Sequence, residues 1–122
     1  MALATSLKIT SSLGVLALFT IGALGLLKPT FLASLAGVRA DRPAGVMELR
    51  AVFGGLMLGM VAALVYIGSP VVYLTVGLAW TGATIAKVIS FFLDRPPVKD
   101  SLQGIISDLV CAGLLLSGYF VT

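Results

Sequence analysis

The chain has no histidine, no asparagine, one cysteine (Cys111) and one tryptophan (Trp80), and only 11% of its 122 residues are charged. Each shortage excludes something. Without histidine there is no imidazole-ligated haem or chlorophyll, none of the common zinc sites and no His-based acid–base catalysis. Without asparagine there is no N-glycosylation acceptor. One cysteine cannot close an intrachain disulfide, and it does not reveal the compartment. Ordinary soluble domains carry about 25% charged residues, so a chain this poor in charge belongs to another class. No cofactor and no metal are expected.

What replaces charge is apolar sequence, 59% of the chain. Four runs, at about residues 7–27, 43–67, 71–93 and 101–121, are each long enough for a hydrocarbon core about 30 Å thick. The pattern predicts an all-α, membrane-embedded bundle of four transmembrane helices in a single domain over residues 1–122. The first run is long for the apolar region of a signal peptide and reads as a retained membrane helix. Lys28-Pro29 ends it, because proline breaks helices. Phe31, Leu32, Leu35 and Val38 then recur at helical spacing, which fits either a short amphipathic interfacial segment or a buried loop. Asp41-Arg42-Pro43 reads as the start of the second helix, with an acid at the cap. Gly68-Ser69-Pro70 is a tight turn that makes the second and third helices antiparallel neighbours. The third ends at Asp94-Arg95-Pro96-Pro97, and Asp100-Ser101-Leu102-Gln103 has the form of a capping box opening the fourth.

Basic residues set an orientation. Lys28, Arg39, Arg42, Arg50, Lys87, Arg95 and Lys99 fall on the side of the first and third loops, and only Lys8 falls on the other. That bias predicts both long loops in the cytoplasm and both termini outside. Tyr66, Tyr73 and Tyr119 lie at the uncharged end, where interfacial tyrosines are found. The same bias explains the net charge of +3 without any role in binding nucleic acid.

Four charges interrupt the apolar runs: Glu48 and Arg50 in the second, Lys87 in the third and Asp108 in the fourth. Counted from the helix ends, Glu48, Lys87 and Asp108 lie about 10–12 Å in, at one level. A lone Lys or Asp at a helix centre in lipid costs roughly 2.5–3.5 kcal/mol on insertion scales, so such groups face one another or a wet cavity. Three readings of this layer remain open: a buried ion-pair network that fixes register, a proton or cation path, or a polar anchor for a lipid headgroup, quinone or partner subunit. The second helix also carries Ala51, Gly55, Gly59 and Ala63 at steps of four, a small-residue stripe that allows close helix approach, within the bundle or against another protein. Trp80 reads as a core packer. Cys111, one turn from Asp108 with no basic partner in sequence, reads as an inert buried thiol.

Glu48-Leu-Arg50-Ala51-Val-Phe53-Gly54-Gly55, Lys87-Val-Ile-Ser90 followed by Asp94-Arg95-Pro96, and an acid in the fourth helix together resemble a family of small bacterial four-helix membrane proteins of unknown function. The resemblance spans residues 47–116. The family pattern favours arginine at position 87, glutamate at 108 and tyrosine at 53; here Lys87, Asp108 and Phe53 keep charge and aromaticity. The resemblance implies the four-helix fold and a bacterial cytoplasmic membrane, and implies no activity.

No catalytic residues are expected: there is no nucleophile–base pair, no metal-ligand spacing and no phosphate-binding glycine loop. The sequence favours a non-enzymatic accessory or scaffold subunit of a larger membrane complex, such as an energy-transducing one, with lipids and other membrane subunits or its own copies as partners. The competing reading is a small proton- or cation-coupled transporter acting as an oligomer through Glu48, Lys87 and Asp108. The two differ on whether that layer is dry and paired or open to water.

Overall fold

The structure, a computed structural model, describes residues 2–121. Five helices make up nearly all of it, and no strand occurs among the described residues. They are α1 (Ala2–Leu27), α2 (Pro29–Leu35), α3 (Pro43–Tyr66), α4 (Pro70–Asp94) and α5 (Val98–Phe120). All but α2 are long and apolar enough to cross a membrane. The chain is a multi-pass membrane protein of the all-α class.

Prolines place most of the helix starts. Pro29, Pro43 and Pro70 open α2, α3 and α4, where a missing N–H is harmless and φ is already helical. Two expected caps give way to this rule. Arg42, not Asp41, precedes Pro43, and it makes no side-chain cap. At α5 the Asp100-x-x-Gln103 box does not form, because the helix begins right after Pro97 and leaves Asp100 inside the first turn. There its charge meets the positive end of the helix dipole.

Where a short interfacial segment or a buried loop is expected, the chain forms the short helix α2. Pro29 and Ala33 are buried, while Phe31, Leu35 and Val38 are exposed. It closes on Gly37, whose φ of +77° suits a residue without Cβ. The Val38 N–H donates to the Ala33 carbonyl at 2.8 Å and the Gly37 N–H to that of Ser34 at 3.2 Å, a Schellman closure.

The chain packs as two compact units. The first, residues 15–67, joins the C-terminal part of α1 to α2 and α3. Here α1 and α3 meet backbone to backbone. Gly25 lies on Phe53 and Gly54, and a methyl on Gly54 would stand 2.8 Å from the Leu26 nitrogen. Helix α3 carries a π-helical stretch, Arg50–Leu56, in which hydrogen bonds run to the fifth residue rather than the fourth. Leu49 and Gly54, five apart, are accordingly both buried, and Val61 and Leu64 continue the packed face.

The second unit, residues 2–14 and 68–121 of those described, contains the start of α1 with α4 and α5. Tyr73 touches Gly118, Gly77 faces Leu116, and Lys87 reaches Gly104 and Asp108. Partners that advance along α4 as they retreat along α5 define an antiparallel pair. Its core is Val76, Trp80 and Thr84 of α4 with Asp108, Cys111, Ala112 and Leu115 of α5, a spacing of three and four that keeps one face inward.

Gly25→Ala and Gly54→Ala should each destabilise the protein by about 1–3 kcal/mol, the usual cost of overpacking, because the obstructing atoms are backbone. Gly55→Ala meets open space and should leave stability unchanged or raise it by up to about 1 kcal/mol. Thermal unfolding in detergent checks all three; equal losses at positions 54 and 55 would refute the assigned crossing.

Candidate functional site

Of the two acids that share its level in the sequence count, Glu48 and Asp108, Lys87 pairs with Asp108. Lys87 lies seven residues before the end of α4 and Asp108 ten after the start of α5, about 10 and 15 Å along their axes, and the flexible lysine stem spans the difference. Lys87 Nζ stands 2.8 Å from Asp108 Oδ2 and donates more weakly to the Gly104 carbonyl at 3.5 Å. The lysine stem passes directly over Gly104, where a Cβ would crowd the ammonium at 3.3 Å. Burial is unequal: the Asp108 side chain is 9% exposed and that of Lys87 46%. The acid therefore depends on the pair more than the lysine does.

The surroundings are apolar or already satisfied. The Thr84 hydroxyl donates to the Trp80 carbonyl at 2.9 Å and the Ser107 hydroxyl to that of Gln103 at 2.8 Å. Cys111, one turn along from Asp108, is a buried free thiol. Trp80 is the exception: it is buried, and its indole N–H has no acceptor among the described residues. Nothing here forms a nucleophile–base pair. Among the described residues there is also no group of three or more His, Cys, Asp or Glu side chains that could hold a metal ion.

Arg50 has a role that its place in the sequence does not show. Its guanidinium donates to the carbonyl of Leu26, in the last turn of α1. That helix stops before Pro29, which leaves its final carbonyls without N–H partners. A cation there both supplies the donor and complements the negative end of the dipole. Arg50 thus acts as an end-cap of α1. Glu48 is exposed, and ion pairing among the described residues is confined to Lys87 and Asp108.

The small-residue stripe also behaves differently from its expectation within the chain. Ala51, Gly55 and Gly59 are exposed and Ala63 is half-buried, and nothing lies within 4 Å of a Cβ built on Gly55 or Gly59. The packed face of α3 instead carries Leu49, Gly54, Val61 and Leu64, beside the stripe, and the five-residue step from Leu49 to Gly54 runs into the π-helical stretch. Two signals could have marked Gly54: the adjacent Gly54-Gly55, and Gly22 and Gly25 on α1 as a complementary surface.

Lys87→Met should destabilise the protein by roughly 3–5 kcal/mol, because it strands a buried carboxylate. The double change Lys87→Met/Asp108→Leu should recover most of that loss. A double-mutant cycle on unfolding in detergent reads the coupling, and additive effects would show that the pair contributes nothing. Arg50→Met should cost about 1–2 kcal/mol, as for a lost charged hydrogen bond, while leaving the Lys87–Asp108 coupling unchanged.

Comparison with protein-family models, curated proteins and solved structures finds no match to this chain.

Proposed function

We propose that this chain is a non-enzymatic accessory or scaffold subunit of a larger integral-membrane complex in a bacterial cytoplasmic membrane, with both long loops cytoplasmic. An energy-transducing assembly is one such complex. The observation that carries the reading is the bare surface of α3. Glu48, Ala51, Gly55 and Gly59 are all exposed, on a helix otherwise fit to cross a membrane. Glycine inside a helix costs about 1 kcal/mol relative to alanine, and a carboxylate in the apolar phase needs a partner. A second transmembrane helix bearing a basic residue would answer both, by close backbone approach along the glycines and neutralisation of Glu48.

The transport reading draws less support. Lys87 and Asp108 are in direct contact at 2.8 Å, which favours a structural pair over an open path for ions. Membrane lipids and other integral subunits, or further copies of the chain, are the partners this surface suits.

Gly55→Leu and Glu48→Gln should leave membrane insertion and the unfolding midpoint close to wild type. Both should abolish the defined higher-order complex that wild type forms in native gels and cross-linking of intact membranes. If both variants assemble as wild type does, the reading falls. For the transport alternative, the Lys87→Met/Asp108→Leu protein separates the classes: recovered assembly with recovered activity of the complex means a structural pair, and recovered assembly without activity means a translocation site.

A further inference from the structure

At the end of the α4/α5 pair remote from Lys87 and Asp108 lies a cavity of about 250 Å³, lined among others by Lys8, Ser11, Ser12, Pro70, Tyr73 and Gly118. Three segments far apart in sequence build it: the second turn of α1, the start of α4 and the last turn of α5. Lys8 is the only charged side chain among the described residues of its wall, and none of these is an acid. Among the described residues, this end of the unit therefore offers a positive charge with no carboxylate beside it.

Of the side-chain donors in the wall, only that of Ser11 is spent. Ser11 is buried and its hydroxyl already donates to the Lys8 carbonyl at 3.1 Å. The Lys8 ammonium and the hydroxyls of Ser12 and Tyr73 have no partner among the described residues. Pro70 opens a helix of 25 residues, whose N-terminal end carries roughly half a positive charge. Proline gives no N–H there, so this contribution is purely electrostatic. The Tyr73 ring lies directly on Gly118, where any side chain would collide with it, and this contact holds the ring at the wall. Just below, the Thr10 and Ser117 hydroxyls sit 2.9 Å apart and tie α1 to α5.

We propose that this cavity binds a phosphate group, supplied by the headgroup of an anionic phospholipid. A lysine ammonium, two free hydroxyls and a helix N-terminus form a donor set for a phosphate oxyanion, and the ammonium and the helix N-terminus repel a cation. The volume falls just short of the roughly 300–1,000 Å³ of pockets that enclose whole drug-sized ligands, so it suits a headgroup and leaves the acyl chains outside. Val71, Tyr119 and Phe120 are exposed on the same helix ends and give those chains an apolar surface. The site lies at the termini of membrane-spanning helices, where phospholipid headgroups are found.

The test uses the full-length protein in non-ionic detergent, titrated with dioleoylphosphatidylglycerol, with dioleoylglycerol, which lacks the phosphate, and with inorganic phosphate. Binding is read by native mass spectrometry and by the thermal midpoint. Wild type should bind phosphatidylglycerol and not dioleoylglycerol. Lys8→Gln should weaken binding about tenfold or more, the scale of a lost charge-assisted hydrogen bond. Lys8→Arg should restore it, and Tyr73→Phe, which leaves net charge unchanged, should weaken it a few-fold. Lys99→Gln, at the other end of α5, controls for general electrostatic attraction and should match wild type. Lys8-dependent binding of inorganic phosphate without binding of phosphatidylglycerol would keep the phosphate site and overturn its lipid source. Equal binding by wild type and Lys8→Gln, or equal weakening by Lys8→Gln and Lys99→Gln, would overturn the site itself.

Discussion

Between helices in lipid there is no hydrophobic effect to exploit, since the surrounding chains are as apolar as the side chains they would replace. What holds such helices together must come from close contact, from hydrogen bonds and from charges that lipid cannot satisfy. Each cohesive feature of this protein answers that constraint. Gly25 and Gly54 bring two backbones together. The Thr10 and Ser117 hydroxyls meet across α1 and α5. Arg50 supplies the donor that the end of α1 lacks, and Lys87 neutralises Asp108. Leucines fill the remaining space, with Leu18, Leu64 and Leu115 fully buried, but they do not choose the arrangement.

The ion pair is asymmetric in a way that matters. Asp108 is enclosed while almost half of the Lys87 side chain remains exposed. A lysine can bend its long stem toward a more polar region; an aspartate cannot. The acid therefore fixes the depth at which the pair must lie, and Gly104 leaves room for the stem to reach it. Register between α4 and α5 is thus set in the same turns by a charge and by a missing side chain.

Much of this was legible in the residues, for local reasons. Prolines write their effect on the backbone directly, so the boundaries at positions 28–29, 43, 70 and 96–97 follow from the sequence. The common level of Lys87 and Asp108 followed because both helices start counting from the same short loop, while the choice of Asp108 over Glu48 did not. Legibility failed where geometry departs from regularity or joins distant segments. Of the adjacent Gly54 and Gly55 it is Gly54 that packs against α1, and a stripe counted by four from Ala51 selects its neighbour instead. Arg50 was read as a possible neighbour of the charged layer because nothing in the sequence tells a guanidinium to seek Leu26, 24 residues earlier. Lys8 read only as a topology marker, since the wall it shares with Tyr73 and Gly118 exists only once three chain segments meet.

Trp80 turns one of these features to practical use. It is the chain's only tryptophan, it is buried between the two helices that carry Lys87 and Asp108, and its indole N–H has no acceptor. An indole without a hydrogen bond in a water-free setting emits at the blue end of its range, and it has no second fluorophore of its kind to blur the signal. The protein thus carries a native optical probe at the core of its α4/α5 pair. Loosening of that pair, or entry of water beside it, is visible as a red shift without any label.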